Sequence, residues 1–165
     1  MDQRPNPEAA MPRQHPSLIA AFLLDMRPEE AFVLFTPLGE REWAEGWDPV
    51  FPAEPDDDSA PGTVFESRPH GHSPHGATWI VVDREPGRRI RYARVIPGRN
   101  AGTVTVSLGA VGDRTAVTVA YDLTALTPEG RTELDAFAAA YPAFIDEWRR
   151  AILRVRPGPP GRRPV

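Results

Sequence analysis

The stretch Thr127–Val155 limits what this chain can fold into more than any other. Its apolar residues Leu134, Phe137, Ala138, Tyr141, Phe144, Ile145, Trp148, Ile152 and Val155 recur at three- and four-residue steps, the spacing that lines side chains along one stripe of an α-helix. Thr127 is placed to cap that helix, and Pro128 fits a first turn where no backbone N–H is needed. Glu133, Asp135, Asp146, Glu147, Arg149 and Arg150 fall mostly off the stripe. An apolar face of this length must lie on another layer. Pro142 interrupts the hydrogen-bond ladder, so the helix is expected to bend there or to begin a second segment.

The partner layer is legible upstream. Leu18, Ala20, Phe22, Leu24 and Met26 alternate with other residues, as in a strand with one buried face. Pro28 opens a short helix through Phe35, and Thr36-Pro37 opens a second, roughly Leu38 to Ala44, closed by Trp43 and Trp47. A series of strands follows: a short edge piece Val50–Ala53 between two prolines, then Thr63–Ser67, Ala77–Arg84, Arg89–Ile96, Gly102–Val111 and Arg114–Ala125. Pro86-Gly87 and Gly112-Asp113 read as hairpin turns, and short connections throughout imply an antiparallel meander. The expected class is therefore α+β: a curved antiparallel sheet of about six to seven strands around a long C-terminal helix, with two short helices after the first strand. Residues 1–16, with four Pro and no periodicity, and the Pro/Gly/Arg-rich segment 156–165 are expected as disordered tails flanking one domain over 17–155.

Composition removes whole classes of function. All nineteen basic residues are Arg and there is no Cys, which excludes thiol nucleophiles, disulfides, thiolate metal sites, Schiff-base lysines and the GK[ST] phosphate loop. The net charge is −4, and without the two tails, which hold five Arg and two acids, it is about −7. Nucleic acid is not an expected partner for such a surface. The apolar run Ser17–Leu24 lacks a basic flank and a cleavage site, and no run reaches the roughly eighteen residues a membrane span needs. A cytoplasmic protein, monomer or homodimer, is the expectation.

Three segments carry a resemblance to a known family: PEEAFVLFTPLGEREWAEGWDP, TWIVVDREPGRRIRYARVIPGRNAGTVTVSL and LTPEGRTELDAFAAAYPAFIDEWRRAI. Over roughly Ser17 to Arg154 the chain resembles the SRPBCC or START-like superfamily with its helix-grip fold, in particular an uncharacterised bacterial branch similar to polyketide cyclases. The resemblance implies a hydrophobic cavity between sheet and helix that takes a lipid-like or polycyclic molecule, without metal or nucleotide cofactor. Any reaction it implies is cyclase- or aromatase-like. The superfamily also includes heat-shock-ATPase activators, so an interaction module without a pocket is the alternative. The superfamily has no universal catalytic motif, and fold is a better-founded inference here than reaction.

Strand parity proposes the lining of that cavity. In Arg89–Ile96, Arg94 shares a face with Ile90, Tyr92 and Ile96, an unusual place for a guanidinium. One reading has Arg94 anchoring a ligand carboxylate or enolate with Tyr92 as a neighbouring donor; the other has it bridged to an acid such as Asp83 or snorkelling at the rim. In Arg114–Ala125 the inward set is Val117, Val119, Tyr121 and Leu123, with Tyr121 near Phe137 or Tyr141 on the helix. Tyr92, Arg94 and Tyr121 are the catalytic candidates, and Trp43, Trp79, Phe137 and Tyr141 join them as candidate ligand contacts. His70, His72 and His75 in RPHGHSPHG can supply three imidazoles to zinc or nickel, with Asp56, Asp57 or Asp58 as an oxygen donor, but a solvated Pro/Gly loop is the plainer reading. The pairs Glu29-Glu30, Glu40-Glu42 and Asp146-Glu147 read as solvated helix faces.

Overall fold

The computed structural model describes residues 17–71 and 73–158. Strand β1 (Ser17–Leu24) leads into helix α1 (Pro28–Val33) and a 3-10 turn, Gly39–Glu42. Strands β2 (Val64–Ser67), β3 (Ala77–Glu85), β4 (Arg89–Ile96), β5 (Asn100–Val111) and β6 (Arg114–Ala125) follow, and helix α2 (Pro128–Val155) ends the fold. The six strands form one antiparallel sheet in the order β1-β6-β5-β4-β3-β2. Each hairpin therefore joins spatial neighbours, and β1 closes the meander by pairing with the last strand. A bulge between Val81 and Asp83 interrupts the β3–β4 ladder, a feature that increases local twist.

The expected strand limits hold to within one or two residues. Val50–Ala53 is the exception: the pairing there is reduced to a single bridge, Val50 to Glu66, because Pro49 before the segment and Pro52 within it lack the N–H donors a ladder needs. The second short helix is also smaller than expected, a four-residue 3-10 turn in place of Leu38–Ala44.

Helix α2 lies against β1, β6 and β5. Thr127 caps it, accepting from the Gly130 N–H at 3.0 Å while its hydroxyl donates to the Gly98 carbonyl at 2.6 Å. A side chain at Gly130 would put its Cβ 1.9 Å from the Arg99 carbonyl, so the helix can sit this close to the β4–β5 turn only with glycine there. Thr36 repeats the device, accepting from the Gly39 N–H at 3.1 Å. Leu134, Tyr141, Ile145 and Ile152 form the buried part of the stripe, Phe137, Phe144 and Trp148 are half-buried along its edge, and Val155 is 41% exposed. Pro142 is accommodated inside one continuous helix, with no second segment. Beyond it, Arg156 pairs with Glu42 at 2.6 Å and so ties the end of the helix to the 3-10 turn.

Candidate functional site

The concave face of the sheet brings Trp79, Tyr92, Arg94 and Tyr121 to one area, opposite the aromatic edge of α2. The registers that do so pair Trp79 with Arg94, Tyr92 with Val104, and Val104 with Tyr121. Gly102 is opposite Arg94, and a Cβ there would lie 1.9 Å from the Asp122 carbonyl, so glycine lets β5 and β6 approach closely beside the guanidinium. The guanidinium comes to rest 5.6 Å from the ring centroids of both Trp79 and Tyr121, within cation–π range of each.

Among the described residues Arg94 has no carboxylate partner. Asp83, the acid suggested by sequence, pairs with Arg89 at 2.7 Å. One Arg94 terminal nitrogen donates to Asn100 Oδ1 at 2.7 Å, while Nε is buried with no acceptor. Burial pulls the guanidinium's pKa below its ordinary value, opposed by the Tyr121 phenol. Tyr121 is itself buried, and its hydroxyl has no hydrogen-bond partner among the described residues. Its pKa is raised by burial, with Arg94 working to lower it and Glu40 to raise it.

The other two tyrosines are differently employed. Tyr92 donates to the Phe35 carbonyl at 2.7 Å and Tyr141 to the Val119 carbonyl at 2.6 Å. Tyr92 therefore fastens the segment after α1 to the sheet and does not serve Arg94 as the free donor expected of it. Tyr141 fastens α2 to β6. Both have raised pKa values, chiefly from burial. The tryptophans act similarly: Trp43 Nε1 donates to the Leu34 carbonyl, Trp47 Nε1 to the Pro37 carbonyl and Trp79 Nε1 to Ser67 Oγ.

Sequence reasoning missed Glu40. The pair Glu40-Glu42 reads as a solvated face if the segment is α-helical, but a 3-10 turn has three residues per revolution, so positions i and i+3 share a side. Glu40 thus lies on the side of Trp43, which is buried against Trp148 at a centroid distance of 5.2 Å. Glu42 is turned outward to Arg156, whose hydrogen bond holds its carboxyl below the usual range. The Glu40 side chain has no hydrogen bond or ion pair among the described residues. Desolvation raises its pKa above the ordinary carboxylate value, although the residue as a whole is only half-buried. Its place three residues before a core tryptophan was the signal available in the sequence.

Aromatic rings occupy much of the space around these groups. Phe65 stacks on Trp79 at 5.9 Å with Tyr92 and Trp47 edge-on to the pair, and Phe137, Tyr141 and Phe144 surround Tyr121 at 5.4 to 6.1 Å. Two open depressions lie elsewhere. One of about 410 Å³ is formed by residues between Pro52 and Val64, and one of about 540 Å³ by β1, Arg114 and α2 around Pro142. Neither is lined by Tyr92, Arg94 or Tyr121. Where a preformed cavity was expected, half-buried Phe137 and Phe144 pack on Tyr121, with Trp148 next along α2.

The histidine loop meets α2. His75 Nε2 donates to Glu133 Oε1 at 3.1 Å, and Arg99 reaches the same oxygen at 3.0 Å. His70 Nδ1 donates to the Arg68 carbonyl and the ring packs edge-on to Trp47 at 5.3 Å; His72 lies outside the described residues. His70 and His75 therefore serve separate partners, and no group of three His, Cys, Asp or Glu side chains among the described residues is arranged to hold a metal ion. Asp57 is bound to Arg84 and Asp58 accepts from the Leu38 N–H, so those acids are engaged away from the histidines. No helix among the described residues is long and apolar enough to cross a membrane.

No protein-family model matches the sequence, and no curated protein sequence does. Solved structures do match the fold. CalU16 from Micromonospora echinospora is 21% identical with a TM-score of 0.57, covering 84% of this chain and 80% of that one. A protein from Rhodobacter sphaeroides is 24% identical at a TM-score of 0.56, covering 84% and 89%. PFC0360w, an HSP90 activator from Plasmodium falciparum, is 13% identical at 0.61, covering 87% and 97%. Identities this low speak for the fold alone: with its strand order and long C-terminal helix, this chain shares the helix-grip fold of these structures.

Proposed function

We propose that this protein binds a small aromatic or hydrophobic molecule carrying an anionic oxygen, in the recess between the concave face of the sheet and α2. The observation that carries this reading is Arg94: a guanidinium between two rings that has, among the described residues, no carboxylate beside it and no acceptor for its buried Nε. Buried polar groups in native proteins nearly always have partners, and an exception points to a missing ligand or water. A carboxylate, phenolate or enolate oxygen would complete the set, and rings at the edge of α2 would cover the ligand body. Where the ligand reacts, Arg94 and Tyr121 suit stabilisation of an enolate, the step that cyclase- or aromatase-like chemistry requires. The test is mass spectrometry of protein purified from its host and released under denaturing conditions, joined to thermal-shift measurements across a lipid and polyphenol panel. A bound aromatic acid or phenol supports the proposal; an empty protein with no shift across the panel overturns it.

A second reading has its own observation. Rings pack where a preformed cavity was expected, and the fold is shared with an HSP90 activator. On that reading the chain is an interaction module of a chaperone ATPase. Co-purification of a chaperone, together with stimulation of its ATPase and no effect of Arg94→Met on either, favours it over ligand binding.

A further inference from the structure

The hydrogen-bond partner that Arg94 has among the described residues carries no charge. A terminal nitrogen of the guanidinium donates to Asn100 Oδ1 at 2.7 Å. A guanidinium cannot accept a hydrogen bond, so the amide meets it through its oxygen. That amide is held from several sides. Asn100 is 6% exposed and opens β5 in register with Ile96 on one neighbouring strand and Ala125 on the other. The residue before it is pinned as well: the Arg99 N–H donates to the Ile96 carbonyl at 3.0 Å, and the Arg99 carbonyl accepts from the Leu126 N–H at 2.8 Å. Asn100 thus stands where a buried arginine ordinarily has a carboxylate, and it fixes the guanidinium without neutralising it.

Acids on the elements around the site are engaged elsewhere. Asp83 on β3 pairs with Arg89, Glu133 on α2 with His75 and Arg99, and Asp122 on β6 accepts from Ser17 Oγ. Tyr121, beside the guanidinium, adds no charge in neutral solution because burial raises the pKa of its phenol. We infer that Asn100 determines the charge specificity of this site: it positions Arg94 and leaves its positive charge free, so that the site takes hydrophobic monoanions in preference to neutral molecules of the same shape. The ligand class narrows to an aromatic or aliphatic body with a single carboxylate, phenolate or enolate. A neutral ligand would cover the cation without compensating it, and a dianion would bring a second charge with no partner. This inference deepens the ligand-binding reading above and rests on it, and the experiment separates the two.

The measurement is quenching of tryptophan fluorescence in the full chain at neutral pH by 2-naphthoic acid, which is ionised there, and by 2-naphthamide, its uncharged counterpart of the same shape. The wild type is expected to bind the acid at least about tenfold more tightly, the factor that one charge-assisted hydrogen bond supplies. Asn100→Asp should abolish that preference, because the introduced carboxylate takes the place of the ligand's beside Arg94. Asn100→Ala should weaken the acid but keep the preference, because the cation stays uncompensated. A preference unchanged in Asn100→Asp, or lost equally in both variants, overturns the role of Asn100 and leaves Arg94 standing as the anchor. Binding of neither probe by the wild type, or of both equally, overturns the ligand-binding reading together with it. Thermal unfolding is the measurement that needs no ligand. Asn100→Asp should raise the melting temperature of the wild type and lower that of Arg94→Met, since only in the first does the new carboxylate meet a cation. A lower melting temperature with Arg94 in place, or failure to fold, overturns the uncompensated charge on which the inference stands.

Discussion

A guanidinium inside a protein survives on cation–π contact and hydrogen bonds when no acid is near, but replacing it is then inexpensive to the fold. Arg94→Met is therefore expected to leave the melting temperature unchanged or higher while weakening an anionic probe by tenfold or more, about 1.4 kcal/mol. A large loss of stability with unchanged binding would make Arg94 a packing residue. The tyrosines allow a second test, because the chain has three and all are buried with raised pKa values. A raised folded pKa gives a contribution that is complete below the ordinary value near 10 and is lost as pH climbs toward the folded value. Phenolate absorbance at 295 nm should thus stay low through about pH 10 and rise only together with the loss of circular dichroism. A titration step near pH 10 in folded protein would show that at least one phenol is open to solvent. Arg94's inward position was legible because alternation fixes the face of a strand residue. The fate of the Tyr92 hydroxyl was not, since its partner Phe35 is 57 residues away.

At the scale of elements, α2 carries most of what can be tested by stability. Ile145 is fully buried on its inner stripe and Val155 is exposed at its end. Ile145→Ala should cost about 2–5 kcal/mol and Val155→Ala less than about 0.5 kcal/mol by urea unfolding. Equal costs would mean that the stripe ends elsewhere. Thr127→Ala removes the cap and should cost about 1 kcal/mol. These positions were readable from the sequence because a 3.6-residue period and a Thr-Pro start are local signals. The 3-10 turn was not readable: whether a short polar segment winds with three or four residues per turn depends on what Trp43 and Trp47 pack against.

For the whole molecule, the decisive contacts join parts far apart in the chain. The loop between β2 and β3 reaches α2 through His75 and Glu133, while Arg156 joins the far end of α2 to the turn after α1. These partly exposed pairs each contribute about 0–1 kcal/mol, so their effect is on local opening more than on global stability. Glu133→Gln is expected to raise amide exchange in residues 68–76 while changing the unfolding free energy by less than about 1 kcal/mol. Exchange confined to its wild-type level would assign the loop's order to its own turns, such as the paired His70–Ser73 bridge.

The sequence alone determined the strand limits, the cap and the stripe of α2, and the inward face of Arg94, because each follows from periodicity or turn chemistry within a few residues. Only the tertiary structure decided that Tyr92 is spent on a carbonyl, that His75 turns to Glu133 instead of joining His70, and that aromatic rings fill the expected cavity. Each of those depends on which distant groups are brought together, and the position of a hydrogen-bond partner 57 or 58 residues away leaves no trace in local pattern.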